Sequence, residues 1–311
     1  MKNQPALYDD KPEVIAAVYQ TYRPHNRLPL IFDSPHSGRD YPSDFHYHCS
    51  FPALENAEDN YVDELFNGVT DFGATFLKAD FPRTYIDVNR AASDIDPHLL
   101  CPAWLENNPH WHTRIRPTRR SHGGFGLIRR LIQPGIPLYN DFLQIDSITK
   151  RIDSYYTPYH AKLAALIDQA HYDFGQVWHI NCHSMPASAA HTSPLRGLGR
   201  YRAPLADFVL GDRDGTSCDI EFMRGLRHFL QGLGYKVAVN KPYRGAELIQ
   251  KYSAPAAGRH SIQIEINKRL YWDEEKRCKT RNFAALKLDL EKMTQFCATY
   301  ISQNFHQRAA D

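Results

Sequence analysis

Short apolar runs of strand length recur along this chain, with patterns of helical period between them, and this alternation restricts the possible folds more than any other feature. The runs are "LPLIF" (28–32), "ATFLKA" (74–79), "TYIDV" (84–88), "QVWHINC" (176–182), "DFVLG" (207–211), "KVAVN" (236–240) and "SIQIEI" (261–266). Their lengths and β-branched content favour strands over helices. Residues 59–69 carry Val62, Leu65, Phe66 and Val69 at helical spacing. The stretch 139–174 is helical in character, with Pro158 expected to bend or break it. Residues 219–234 open on Asp and stop on Gly, and 280–305 read as a long amphipathic closing helix. The alternation predicts a layered α/β fold around a mixed, mostly parallel sheet.

No internal repeat or low-complexity linker divides the 311 residues, so one domain is expected over 1–311. The segment 100–138, "CPAWLENNPHWHTRIRPTRRSHGGFGLIRRLIQPGIPLY", departs from the pattern. It is rich in Pro, Gly, Arg, His and Trp with weak periodicity, and is expected to be an ordered lid or binding insertion. The formal charge of +2 and the lack of a long basic block argue against nucleic acid as a partner. No apolar run approaches the ~18 residues a membrane span needs. "MKNQPALYDDKPEV" has no apolar core of a secretory signal. The six cysteines form no C-x-x-C pair, which fits reduced thiols in a cytoplasm.

Ligands of open α/β sheets sit beyond the carboxyl ends of the strands, so the residues following each run are the candidates. They include His36 in "DSPHSGRDYP", Asn89-Arg90, His183-Ser184, Asp212 and Asp214 in "DRDGTSC", and Tyr243-Arg244 in "KPYRGAE". Two histidines at separate strand ends, joined by one carboxylate, make a hydrolytic zinc site with a position left for water. Asp40, Asp59, Asp63 and Glu64 are the carboxylates near His36. At about 100° per residue, Asp59 lies nearest the apolar face of its helix, Asp63 further round and Glu64 opposite. Asp59 is therefore the preferred third ligand, with a helix N-cap as its competing role and Asp40 in reserve.

Glu265 sits in the middle of "IQIEI", where a charge is costly unless paired or functional. Facing a metal site, it could take a proton from water and deliver it to a leaving nitrogen. An alternating edge strand with Glu265 facing solvent is the bland alternative. Arg90 and Arg244 suggest a small-molecule substrate with a carboxylate, which a guanidinium matches bidentately. His179 is read as structural and Asp87 as internally paired, while His110 and His112 are weaker metal candidates on a loop. No G-x-S-x-G is present, so Ser184 beside His183 makes no serine hydrolase.

The ordered set "SPHSG", "YIDVNR", "NCHSMP", "DGTSCD", "NKPYRGAELIQKY" and "GRHSIQIEINKRLYWDE" resembles the N-formylglutamate amidohydrolase family from about residue 28 to 300. The resemblance implies a zinc carboxypeptidase/aminoacylase-like fold, a three-layer α/β/α arrangement with one Zn²⁺ per chain. It places metal ligands at His36, Asp59 and His183 and the strand glutamate at Glu265. It sets Asn89-Arg90 as the substrate clamp. The implied activity is hydrolysis of N-formyl-L-glutamate to formate and glutamate in histidine breakdown. A metallocarboxypeptidase or a deacylase of another N-acyl amino acid is the alternative, and a ligand-binding protein on a hydrolase scaffold is the non-catalytic one. "HSG" and "IQIEIN" depart from the family's usual "HAG" and Leu-Glu-Leu, and 100–138 departs from its simpler form.

Overall fold

The computed structural model describes residues 12–187 and 206–308; most of the amino-terminal stretch read for a secretory signal lies outside the described residues. Eight strands make one mixed sheet: β1 (Glu13–Ile15), β2 (Tyr19–Tyr22), β3 (Leu30–Ser34), β4 (Thr75–Ala79), β5 (Val177–Met185), β6 (Phe208–Gly211), β7 (Val237–Val239) and β8 (Arg259–Asn267). Their spatial order is β1-β2-β4-β3-β5-β8-β6-β7. The central β4, β3, β5 and β8 are mutually parallel. The β6–β7 pair is parallel within itself but antiparallel to β8, and β1 and β2 add an antiparallel flank.

Helices cover both faces. Ile220–Gly232 and Phe283–Arg308 pack on one face, over Trp178, Ile180, Cys182, Ile262, Ile264 and Ile266. Thr157–Phe174 covers the other, against Ile31, Leu77 and Val177. Each of these side chains, withdrawn from water, contributes roughly 1.5–3 kcal/mol. The Ile220–Gly232 helix starts where the Asp219 carboxylate accepts the Phe222 N–H at 2.9 Å, and the chain leaves it through Gly234 at φ 93°. No helix among the described residues is long and apolar enough to cross a membrane.

Four expectations need correction. "TYIDV" is not a strand but a buried turn-rich segment; Tyr85, Ile86 and Val88 are fully buried, and Asp87 N–H bonds to Leu127 O at 2.8 Å instead of to a sheet. The helix expected over 59–69 shrinks to Val62–Leu65 and a 3₁₀ turn, Val69–Phe72, so Asp59 precedes it in a loop. Pro158 does not break its helix: Ile145–Arg151, a π-helical stretch Ile152–Tyr156 and Thr157–Phe174 run on without a gap, and the irregular π turn just ahead of the proline is where the helix departs from α geometry. Finally, β5 runs to Met185, so His183 lies inside the strand and not beyond it.

The segment 100–138 is ordered into three short helices, Pro102–Asn107, Trp111–Arg114 and Arg119–His122, and a ribbon of Leu131–Gln133 with Ile136–Pro137. The carboxylate of Asp94 accepts the Thr118 N–H at 2.8 Å, and Leu127 N–H bonds to Asp94 O at 2.7 Å. This part of the segment is thereby fastened to the stretch that follows Asp87.

Candidate active site

Side chains alternate across a strand, and residues paired in a parallel ladder share a face. In β5 and β8 this sorts the residues cleanly. Trp178, Ile180 and Cys182 face the apolar layer with Ile262, Ile264 and Ile266. His179, Asn181 and His183 face the other way, level with Ser261, Gln263 and Glu265. His183 and Glu265 are direct register partners, so the two side chains stand side by side. Glu265 is buried on a central strand, which excludes the exposed edge-strand alternative.

His36 arrives from the loop after β3. Ser34 and Ser37 hydroxyls bond at 2.6 Å, and the Asp63 N–H reaches Ser37 Oγ at 3.2 Å. A Cβ on Gly38 would meet the backbone of Asp80 and Phe81 at 2.3 Å, so glycine alone lets this loop lie against the end of β4. The Asp59 N–H then bonds to His36 O at 3.0 Å, which brings the third residue alongside.

His36, Asp59 and His183 offer ligand atoms that all lie within 4.8 Å of one another, and all three residues are buried. Asp59 Oδ2 is 3.0 Å from His183 Nδ1 and 3.5 Å from His36 Nδ1. Tetrahedral coordination with bonds of about 2.1 Å has ligand–ligand edges of about 3.4 Å. The outer nitrogens are already engaged. His36 Nε2 lies 2.7 Å from Asp87 Oδ1, and His183 Nε2 lies 2.7 Å from Asn181 Oδ1 and 3.0 Å from Asn89 Nδ2. A neutral imidazole has one N–H; with that proton on Nε2, facing the Asp87 and Asn181 oxygens, each Nδ1 turns its lone pair to the Asp59 oxygen. His36 Nδ1 is buried with no hydrogen bond. Burial pushes His183 below its ordinary pKa and favours the neutral ring. Lone pairs facing a carboxylate oxygen are what a cation resolves, and ligating histidines whose second N–H is held by a carboxylate or amide oxygen are typical of metal centres.

Burial would raise the Asp59 carboxyl, but the Arg83 cation and the imidazoles of His183 and His36 beside it outweigh burial and hold the group well below the usual carboxylate range. Arg83 spans the site, donating to Asp59 Oδ1 and Asp87 Oδ2, each at 3.1 Å. Glu265 goes the other way: burial first, then repulsion from Asp59, pushes its carboxyl up to about 8. The Gln263 amide donates to Glu265 Oε1 at 2.6 Å, and Gln263 Oε1 is itself held by the Ala246 N–H at 3.1 Å. A supporting row continues inward, where Asp33 accepts from Asn181 at 2.7 Å, His179 at 2.9 Å and Tyr159 at 2.8 Å.

His36, Asp59, Arg83, His183 and Glu265 line a cleft of about 1070 Å³ that also takes in Arg90, Arg120, Arg129, Tyr243 and Arg244. Asn89 lines it too, but both ends of its amide are used: Oδ1 accepts the Leu248 N–H at 2.9 Å and Nδ2 lies 3.3 Å from Gln263 Oε1. Arg90 is half-buried on the wall with Nε 3.8 Å from Asp87 Oδ2. Tyr243 is half-buried, and burial pushes its phenol up to about 12. The Arg244 side chain is 62% exposed at the rim, 3.4 Å from Asp214. Asp40 is exposed and outside the cluster, while Asp63 and Glu64 turn to Lys78 and Lys279. Asp212 caps its own loop by accepting the Gly215 N–H at 2.9 Å. His110 is exposed, away from the cleft, and the His112 side chain lies outside the described residues. Arg83, Asn181 and Gln263 were not singled out by sequence; in Asn181 and Gln263 the clue was a polar residue two places from each candidate on the same strand face.

A family model described as N-formylglutamate amidohydrolase matches residues 28–272. The fold is similar to a crystal structure of an N-formylglutamate amidohydrolase from Ralstonia eutropha JMP134. The two share 40% identity, with a TM-score of 0.84 over 93% of this chain and 99% of that one. The N-formylglutamate deformylase of Pseudomonas putida is 24% identical over 252 residues, 80% of this chain and 83% of its own length. That of Pseudomonas aeruginosa is 24% identical over 258 residues, 80% and 84% respectively.

Proposed function

The chain belongs to the N-formylglutamate amidohydrolase family, and from that we propose that it hydrolyses the N-formyl amide of an acidic amino acid, N-formyl-L-glutamate first of all, to formate and the free amine. The observation that carries the reading is the convergence of His36 Nδ1, Asp59 Oδ2 and His183 Nδ1 beside Glu265. Those three residues would hold one Zn²⁺. Bound there, zinc supplies Lewis-acid polarisation of an amide carbonyl and brings the pKa of water toward about 7.

The rest is work for the chain's own groups. Asp87 and Asn181 keep the two imidazoles in the tautomers that leave Nδ1 free. Glu265 is the general base and then the general acid, accepting a proton from water and returning it to the departing nitrogen. Gln263 fixes its carboxyl in place. Arg90, half-buried on the cleft wall, supplies a standing positive charge for the oxyanion that develops on the carbonyl oxygen. Tyr243 and the exposed Arg244 belong to the outer part of the substrate path. A cleft of about 1070 Å³ is at the upper end for drug-sized ligands and favours a second reading, in which longer N-acyl amino acids or peptide ends are also taken.

Metal analysis and formate release from N-formyl-L-glutamate test this in wild type, His183→Ala and Glu265→Gln. His183→Ala is expected to lose both zinc and turnover. Glu265→Gln should keep the metal and lose at least 100-fold in kcat. A metal-free His183→Ala protein with full activity ends the proposal. A panel of N-acyl glutamates, aspartates and histidines separates the two readings.

A further inference from the structure

Arg129 is 9% exposed, and it lines the cleft. Among the described residues no hydrogen bond or ion pair reaches its guanidinium; Nε is buried without a partner, and the nearest ring, Phe125, lies 5.6 Å from its Cζ. Its chain neighbour Arg130 is the opposite case, donating to Asp96 at 2.6 Å. The carboxylates on the same wall are committed elsewhere. Glu58 accepts from Thr84 Oγ1 at 2.6 Å and the Arg83 N–H at 3.0 Å. Asp87 holds His36, the Asn89 N–H and Arg83. Burial, then the nearby Arg83 cation, pushes Arg129 down to about 10. A buried charge with no partner is costly to keep, and Arg83 and Arg90 already answer Asp59 and Asp87. Arg129 is thus a surplus cation facing the cleft.

Its position is fixed. Leu127 and Ile128 are fully buried, and the Leu127 backbone is bonded both to Asp94 and to Asp87. A Cβ on Gly126 would lie 2.5 Å from Asp94 O, so the loop and the Asp87–Asp94 stretch are in tight contact. An arginine held rigid, dry and unpaired is preorganised for a planar anion.

We propose that Arg129 is the anchor for a substrate carboxylate, a binding residue supplied to the cleft by the 100–138 segment. The inference rests on the acyl-amino-acid reading for the identity of the substrate, but the anion site itself can be probed without turnover.

Thermal melting of the purified full chain with added glutarate, a dicarboxylate without the amide, is compared for wild type, Arg129→Met and Arg129→Lys, alongside steady-state kinetics on N-formyl-L-glutamate. Glutarate should stabilise wild type. Arg129→Met should bind it roughly 10- to 100-fold more weakly and raise KM by a similar factor, with kcat changed less than about threefold. Arg129→Lys should recover part of both. Without ligand, Arg129→Met should melt no lower than wild type, because an unpartnered buried charge has been removed. A variant that melts well below wild type or does not fold assigns the guanidinium to loop structure and overturns the proposal. Unchanged glutarate affinity or unchanged KM in a folded Arg129→Met does the same. A wild type that turns over no N-acyl amino acid, yet loses glutarate on Arg129→Met, defeats the reaction and leaves the anchor standing.

Discussion

Replacing Glu265 with glutamine in the metal-free protein should stabilise it, and by more at higher pH. The carboxyl is buried beside Asp59, and its pKa rises from 4.5 to about 8. The folded state therefore binds this proton more tightly than the unfolded chain does. The stability it contributes is complete below about pH 4.5 and is lost as pH climbs through about 8. At 1.36 kcal/mol per unit the full rise is worth about 5 kcal/mol, and roughly 2–5 kcal/mol is expected to be measured. Glutamine mimics the neutral acid and can still accept the bond from Gln263. The assay is urea unfolding of both proteins in chelator at pH 5, 6, 7 and 8. Glu58, pushed up to about 7 chiefly by burial, is present in both and cancels in the difference. The two proteins should nearly coincide at pH 5 and separate steadily to pH 8. A constant difference across the series would refute the claim that burial and Asp59 hold this group protonated.

Gly38→Ala should lower stability by roughly 2–4 kcal/mol and weaken metal retention together, because the new methyl meets backbone at 2.3 Å and displaces the loop that carries His36; calorimetry and metal titration of one preparation check both. Asp33→Ala removes the acceptor of three buried hydrogen bonds and should cost roughly 3–5 kcal/mol by denaturant titration. Burial would raise Asp33, but His179 and its other donors outweigh that and lower its pKa. Its contribution is therefore present above 3.8 and lost as pH falls further, so the wild-type advantage should narrow only in strong acid.

Six of the seven apolar runs form strands because a parallel sheet covered on both faces needs consecutive buried residues, and composition records that need directly. "TYIDV" has the same composition for a different reason. Tyr85, Ile86 and Val88 are buried under a loop, and burial is all that hydrophobicity reports; where the backbone bonds go is a separate question. β1 was illegible for the converse reason, since Glu13, Val14 and Ile15 are all exposed at the sheet's edge. Asp59 was preferred on a helical wheel, yet it sits in a loop, and its nearness to His36 comes from one backbone hydrogen bond that no periodicity encodes. His36, His183 and Glu265 could be singled out because each is a polar residue set in or just after an apolar strand. Arg129 could not: "LIRR" presents two adjacent arginines, and only the fold sends one to Asp96 and the other to the cleft.

The two-sided character of β5 and β8 divides the labour between neighbouring codons. Along 177–185 and 259–267 His183, Gln263 and Glu265 belong to the chemistry, His179, Asn181 and Ser261 on the same face support it from beneath, and the even-numbered positions between them hold the hydrophobic layer in place. Damage should therefore alternate in kind from one residue to the next, with inactive but abundant protein at one position and scarce but competent protein at the following one. Because each strand is a single stiff ribbon, slack introduced behind Ile264 is felt in front at Glu265, so selection for a tightly packed interior and selection for rate act here on the same few ångströms of backbone.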